Sequence, residues 1–507
     1  MAVDGGRDLI LSTGLVRAGG LEARRGQEAR VAKEKKVLME VPERLAKVLE
    51  RLVKADERGE RMASGREPLD WGQLSAEIES AGAAAEREIS RRQLRRLDER
   101  RKTIVVDGKT YRKVGRYEGT YYTKAGPVTL PRTLYRDASV RNGKTMDAIS
   151  LKLGCVEDGW LPETADAMAC LLQSVPGAEA EKLAKKLGRV TYSASSFKRV
   201  GSAVGHLYEA GRNDIEDALI AECVIPDTTR SLTVSIDRVA LPMEIDVARK
   251  PGRPKKTAPK RSVARVYEMA WVGTVSLVDG KGEALHTIRY GATGTKKPAS
   301  PEQLLESMQG DVKALLARHK SLKVAAIADG AKDIIELLDT HFSDAALGAT
   351  VVRLVDFWHV IEKLGKAAAA LLSADQRSQR LAQWKLRLLN NERAAHQILG
   401  ELKDSGLEWK TVGDTTPIHE AITYLTNNAD RMNYAAARAA GLNTGSGTVE
   451  ATCKSLVQVR MCRSGARWRP DTAQALLSLR ALALSDRWDS AVALTLAPLR
   501  REVCRAA

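Results

Sequence analysis

At 507 residues the chain is long enough for two to four domains with ample core, and its 44% hydrophobic and 29% charged residues exclude a fibrous or largely unstructured protein. No apolar run reaches the 18 or so residues of a membrane span. The net charge of +17 points to a polyanionic partner, nucleic acid first, with a merely basic cytoplasmic protein as the bland alternative.

Cysteine usage agrees with a reducing compartment. Cys155, Cys170, Cys223, Cys453, Cys462 and Cys504 form no C-x-x-C and no zinc spacing, so they read as reduced thiols. The opening Met1–Asp8 lacks a signal-peptide core, and the expectation is a cytoplasmic, nucleoid-associated protein.

Residues 1–102 read as a basic N-terminal region. Its first thirty positions are rich in Gly and Arg and are expected to be poorly ordered. From Val31 to Arg101, apolar positions such as Leu45, Val48, Leu49 and Leu52 recur at helical spacing. The Arg-rich end, Ile89–Arg96, suits phosphates or a solvated helix face. Residues 103–140 change character: short β-prone runs are broken at Asp107-Gly108 and Ala125-Gly-Pro127, predicting a small antiparallel sheet without metal.

Helical signals return over 141–227. A helix over Glu179–Gly188, a glycine stop and a serine-capped helix from Ser193 suit either a helix-turn-helix reader or a plain helical hairpin. In the first case Ser195, Ser196, Lys198 and Arg199 would face DNA.

Residues 228–359 predict a sheet. Leu232, Val234 and Ile236 alternate with Thr233, Ser235 and Asp237, the period of a half-buried strand. The Lys- and Arg-rich stretch 248–261 follows as a loop, where Gly252 and Arg253 resemble the centre of an AT-hook or serve as an electrostatic tether. A hairpin folded at Asp279-Gly280, a helix around Leu304–Leu315, a strand over Lys323–Gly330, a helix over Ile334–His341 and a strand from Thr350 complete the order β-β-β-α-β-α-β. Asp329 and Asp356 fall at strand carboxyl ends, where open α/β sheets carry their sites. Residues 360–445 read as an all-α insertion, and 446–507 as a core-completing helix, opening near Thr448 and carrying Glu450, with a helical tail.

Two strand aspartates and a helix glutamate are the donor types that hold a pair of hard cations about 4 Å apart for phosphoryl transfer. Solvent-facing aspartates are the alternative, and Glu244, Asp333 and Glu336 are further carboxylates in the same stretches. Lys454, one turn after Glu450, would meet a phosphate or pair with that carboxylate. Arg460, Arg463 and Arg467 would track a DNA backbone. Trp384 and Trp409 would stack on an unpaired base or fill a core.

Four segments, Asp237–Glu244, Ala328–Gly330, Val355–Val360 and Gly445–Ala451, together and in order resemble the DDE transposases of bacterial insertion sequences, the ISKra-type family in particular. Gly119–Pro127 and Arg463–Trp468 are similar to the same family. The resemblance implies an α/β ribonuclease-H-like mixed-sheet core interrupted by an all-α insertion, behind a mainly helical DNA-binding region with a small β module. It also implies Asp237, Asp329 and Glu450 as ligands of two Mg²⁺ or Mn²⁺ ions. Asp356 and His359 match the D-x-x-H feature of the related Mutator-like group, so His359 would touch the scissile phosphate or orient a neighbour; a satisfied core histidine is the alternative. The implied activity is binding of terminal inverted repeats, then cleavage and strand transfer of double-stranded DNA by a dimer or larger assembly. A non-catalytic DNA-binding descendant and a hydrolytic nuclease of the same fold are the other two function classes considered.

Overall fold

The computed structural model describes residues 6–11, 37–247, 263–293 and 301–505. These divide into two units. The first comprises Met1–Thr164, Glu181–Ser193 and Leu499–Ala507, and the second comprises Ala165–Ala180 and Ala194–Pro498.

In the first unit, β1 (Gly6–Leu11) pairs antiparallel with β2 (Val37–Pro42), in stretches where the sequence reading expected poor order and helix. Two helices follow, Glu43–Ala63 and Trp71–Leu97, the second capped by Asp70, whose carboxylate accepts from the Gln73 amide at 2.9 Å. The five-stranded antiparallel sheet comprises β3 (Thr103–Val106), β4 (Lys109–Thr123), β5 (Gly126–Asp137), β6 (Thr145–Asp147) and β12 (Val503–Arg505), in the order β12-β3-β4-β5-β6. Asp107 and Gly108 both take positive φ (49° and 75°), as a two-residue hairpin turn requires. The helical tail expected after Trp468 is present as the helices Pro470–Leu484 and Trp488–Leu496, and it is followed by a short strand that the sequence reading did not expect, in which Val503 pairs with Val106. Three residues are too few for an alternation signal.

In the second unit the sheet runs β11-β10-β7-β8-β9. β7 (Thr229–Asp246), β8 (Val263–Asp279) and β9 (Ala284–Thr293) form an antiparallel meander. β10 (Lys323–Ala328) lies parallel to β7, and β11 (Val351–Val355) parallel to β10, each reached through a helical connection. This is a mixed α/β architecture with a separate antiparallel sheet in the other unit.

The alternation read in β7 sorts its two faces. Leu232, Val234 and Ile236 join Val275, Leu277 and helix Pro301–Arg318 in one core cluster. Thr233, Ser235 and Asp237 point to the other face, where Leu241, Met243, Ala270 and Val272 pack against Val449, Cys453, Leu456 and the tail helix Pro470–Leu484. After β11 in the chain come the helices Phe357–Leu371, Ala374–Asn390, Ala394–Asp404, Pro417–Asn428 and Tyr434–Ala439, which pack in one core cluster with Ala325 and Ile327 of β10 and Leu354 and Val355 of β11. No helix among the described residues is long and apolar enough to cross a membrane.

Asp311 on helix Pro301–Arg318 is buried, accepts from the Tyr290 hydroxyl at 2.5 Å and lies 3.5 Å from the Arg487 guanidinium. Burial pushes its carboxyl up to about 6, against the pull of Arg487. The folded state therefore holds this proton more tightly than the unfolded chain does. The associated stability is fully present below about pH 4 and is lost as pH rises through about 6, a swing of about 3 kcal/mol. Urea denaturation between pH 4 and 7 should show that slope, and Asp311→Asn should flatten it.

Candidate active site

Strand register lines up three aspartates. Ser235 pairs with Ile327, and Ala328 with Val355, so Asp237 on β7 and Asp329 and Asp356, each one residue past its strand, stand level across three adjacent strands. Asp329 and Asp356 follow the carboxyl ends of β10 and β11, and the Asp356 amide donates to the Ala328 carbonyl at 2.7 Å. Glu450 arrives on the helix Gly447–Thr452, which packs on the Asp237 face of the sheet and continues as a π-helical turn over Cys453–Gln458. Such widened turns recur at functional sites.

Asp356 fixes that helix in place. Its Oδ1 accepts from the His359 amide at 2.8 Å, capping helix Phe357–Leu371, while Oδ2 accepts from the Ser446 amide at the mouth of the Glu450 helix. Asp356 is 1% exposed; burial opposes its ionisation, but the hydrogen bonds from His359 and Ser446 outweigh it and hold the carboxyl at about 2. With both oxygens engaged by backbone amides, Asp356 is a positioning residue.

His359 faces the acidic cluster. Its Nδ1 is 3.3 Å from Asp356 Oδ1 and 3.7 Å from Glu450 Oε1, yet is buried without a well-directed hydrogen bond. The adjacent Asp356 raises the imidazole above its ordinary value against partial burial, and Glu450 and Asp329 add to the effect. Glu450 itself is lightly held, with the Ser446 hydroxyl donating to Oε1 at 3.4 Å. Asp356, His359 and Glu450 bring ligand atoms within 4.8 Å of one another; among the described residues no other such set does, so Asp237, Asp329 and Glu450 are not drawn that tightly together.

Asp237 and Glu450 instead share the wall of a 630 Å³ cavity with Cys453, Lys454 and Gln458. The buried Cys453 thiol donates to Asp237 Oδ2 at 3.4 Å. Burial, then the Asp237 charge, raise that thiol's pKa, so it stays protonated and serves as a donor. Asp329 Oδ1 accepts from the Ala331 amide at 2.8 Å, and its carbonyl accepts from the Tyr424 hydroxyl at 2.9 Å. The next residue, Gly330, has φ +97°, and a Cβ there would sit 2.5 Å from the Tyr424 ring. Only glycine fits that approach.

Of the additional carboxylates, Asp333 pairs with Arg238, Glu336 lies 3.8 Å from Lys332, and Glu244 donates its amide to the Trp468 carbonyl at 2.7 Å. Sequence reasoning missed Cys453, Ser446 and Tyr424. The one signal available was the three-residue step from Glu450 to Cys453, which puts both on one helix face.

The expected DNA contacts fare unevenly. Lys454 is exposed at the cavity wall. Arg460 is corrected: it is 4% exposed, donates to the Leu172 carbonyl at 3.0 Å and lies 5.3 Å over the Trp468 ring, so it holds the interior. Arg463 is engaged by Glu179 at 2.7 Å. Helix Ala194–Ala210 buries Phe197, Val200, Gly201 and Val204, leaving Ser195, Lys198 and Arg199 exposed and Ser196 half-buried. Gly252 and Arg253 lie outside the described residues. Trp384 is a core residue whose indole donates to Glu401 at 2.8 Å, whereas Trp409 is exposed and stacks on His419 at 4.0 Å.

Asp356→Asn offers the two backbone amides one acceptor in place of two. The variant should lose about 1–3 kcal/mol in chemical denaturation. Hydrogen exchange should show the Ser446 amide losing protection while β7 and β8 keep theirs. Compared with models of protein families, with curated proteins and with solved structures, the chain matched none.

Proposed function

We propose that the chain is a DDE-type DNA transposase that binds the terminal inverted repeats of an insertion sequence and cuts and joins DNA strands. The observation that carries the reading is the level placement of Asp237, Asp329 and Asp356 across three neighbouring strands, with the Glu450 helix seated on the Asp237 face. A meander followed by two parallel strands, with a helical insertion before the Glu450 helix, is also what a ribonuclease-H-like core of this class requires.

The donor set suits hard divalent cations. Asp237, Asp329 and Glu450 offer carboxylate oxygens, Glu450 is free to turn, and the unpartnered Nδ1 of His359 faces the same cluster. The Cys453 thiol, held protonated, does not compete as a soft ligand. Two Mg²⁺ or Mn²⁺ ions held by the three carboxylates would supply charge neutralisation at phosphorus and activation of the attacking oxygen. Ligands of such a pair need not all lie within 4.8 Å of one another, since they reach around ions about 4 Å apart.

The chain's own groups do the positioning. Lys454 presents an ammonium to the mouth of the cavity, where a phosphate oxygen can sit. Cys453 holds one oxygen of the Asp237 carboxylate, and Asp356 holds the Ser446 turn from which the Glu450 helix starts. His359, more basic than a free imidazole, can donate to a phosphate or hold a leaving oxygen. A second copy on the other DNA end is expected on symmetry grounds.

Labelled DNA carrying the flanking element ends should be nicked at the boundary by the wild-type chain in Mg²⁺. Asp237→Asn should lower the rate at least about a thousandfold at unchanged DNA affinity. Pre-cut ends should then be joined to target DNA. Cutting without joining would reassign the chain as a hydrolytic nuclease; end binding without cutting by either protein would reassign it as a DNA-binding protein.

A further inference from the structure

The D-x-x-H spacing places two metal-binding groups on one helix turn. Asp356 is the N-cap of helix Phe357–Leu371 and His359 is the third residue of that helix, so the cap bond that fixes the carboxylate also sets its distance to the imidazole. Glu450 reaches the same point from the first turn of its own helix, whose N-cap, Ser446, is bound to Asp356. Three donors from two helix starts converge there: an imidazole nitrogen and one oxygen from each of two carboxylates, all within 4.8 Å of one another.

The distances discriminate between classes of ion. Ligands about 2.0–2.1 Å from a tetrahedral ion stand about 3.4 Å apart, whereas octahedral ligands at the same radius stand about 2.9 Å apart. His359 Nδ1 is 3.3 Å from Asp356 Oδ1 and 3.7 Å from Glu450 Oε1, lengths that lie nearer the tetrahedral edge. Mixed nitrogen and oxygen donors also suit Zn²⁺ better than Mg²⁺. Nδ1 is buried without a well-directed hydrogen bond, a state that an ion at this point resolves. Asp356 keeps its structural role in such a site, because each carboxylate oxygen has two lone pairs and a backbone amide takes one of them. Glu450 is half-exposed and held by the Ser446 hydroxyl at 3.4 Å, so its side chain can turn to shorten the longer edge.

We propose that His359, Asp356 and Glu450 form a mononuclear Zn²⁺ site, completed by one water and separate from the two-ion set of Asp237, Asp329 and Glu450. The ion takes the neutral imidazole, so His359 releases a proton to solvent on binding. The site stands on its own geometry. Its consequence rests on the transposase reading: Glu450 belongs to both sets and serves one at a time. Zn²⁺ therefore opposes the two-ion state, and a transition metal holds the chain inactive by withdrawing one carboxylate.

The test uses the full chain, stripped of metal, and reads Zn²⁺ binding by competition with a chromophoric chelator in the absence of DNA. The wild type should hold one Zn²⁺ with submicromolar affinity. His359→Gln and Glu450→Gln should each weaken it at least about a hundredfold, while Asp237→Asn and Asp329→Asn stay close to wild type. Co²⁺ in place of Zn²⁺ should give the intense visible absorption of a four-coordinate ion, a readout that needs no variant. A wild type that binds no Zn²⁺, a pale six-coordinate Co²⁺ spectrum, binding that survives in His359→Gln, or binding lost in Asp237→Asn each overturns the site and leaves the functional reading standing. With DNA carrying the flanking element ends and Mg²⁺ present, saturating Zn²⁺ should stop nicking by the wild type. Undiminished nicking overturns the competition for Glu450. A chain that binds Zn²⁺ as stated but never nicks the DNA keeps this site and overturns the transposase reading.

Discussion

The site depends on one buried carboxylate that gives up both oxygens to backbone amides. Asp356 caps the helix that follows β11 and takes the Ser446 amide from the turn that opens the Glu450 helix. Without it, the Glu450 segment would be attached by apolar packing, by the Phe357 amide on the Thr444 carbonyl at 3.0 Å and by the Cys453 thiol on Asp237, which leave the turn at Ser446 freer to rotate. A charge-assisted hydrogen bond from a rigid turn removes that freedom. The same interaction explains why His359 is close to Glu450: the cap orients the first turn of its helix, and the imidazole follows.

Around this clamp the second face of the sheet is unusually polar. Thr233, Ser235, Thr274 and Ser276 are all buried there, leading up to Asp237, while Leu232, Val234 and Ile236 of β7 fill the core on the opposite face. Small hydroxyl residues let the Glu450 segment lie close to the sheet, and the π-helical turn after Thr452 brings Cys453 against Asp237. The polar face and the widened turn together place two chain segments, more than two hundred residues apart in sequence, on one cavity.

Much of this was legible in the sequence because it rests on period. The two-residue alternation of Leu232, Val234 and Ile236 fixes which face Asp237 occupies, and the apolar run before Asp329 marks a buried parallel strand. What stayed hidden has no periodic signature. Arg460 looked like a surface cation because nothing local announces that Leu172 will lie over it, and the pairing of Val503 with Val106 joins strands that are remote in sequence. Asp356 was legible as a carboxylate of interest, but its role was not: whether its oxygens face a ligand or the Ser446 amide is decided by a partner ninety residues away.

That separation has a consequence for how the protein assembles. A contact spanning ninety residues of flexible chain carries a substantial loop-closure entropy, growing as about (3/2)RT ln n. The intervening helices pack around Trp384, Ile398 and Ile418 in a cluster that also takes in Ile327 of β10 and Leu354 of β11, and so hold the two partners of the clamp within reach of each other. The contacts closest in sequence in this unit are those of the meander and of neighbouring helices in the insertion, and low contact order favours their early formation.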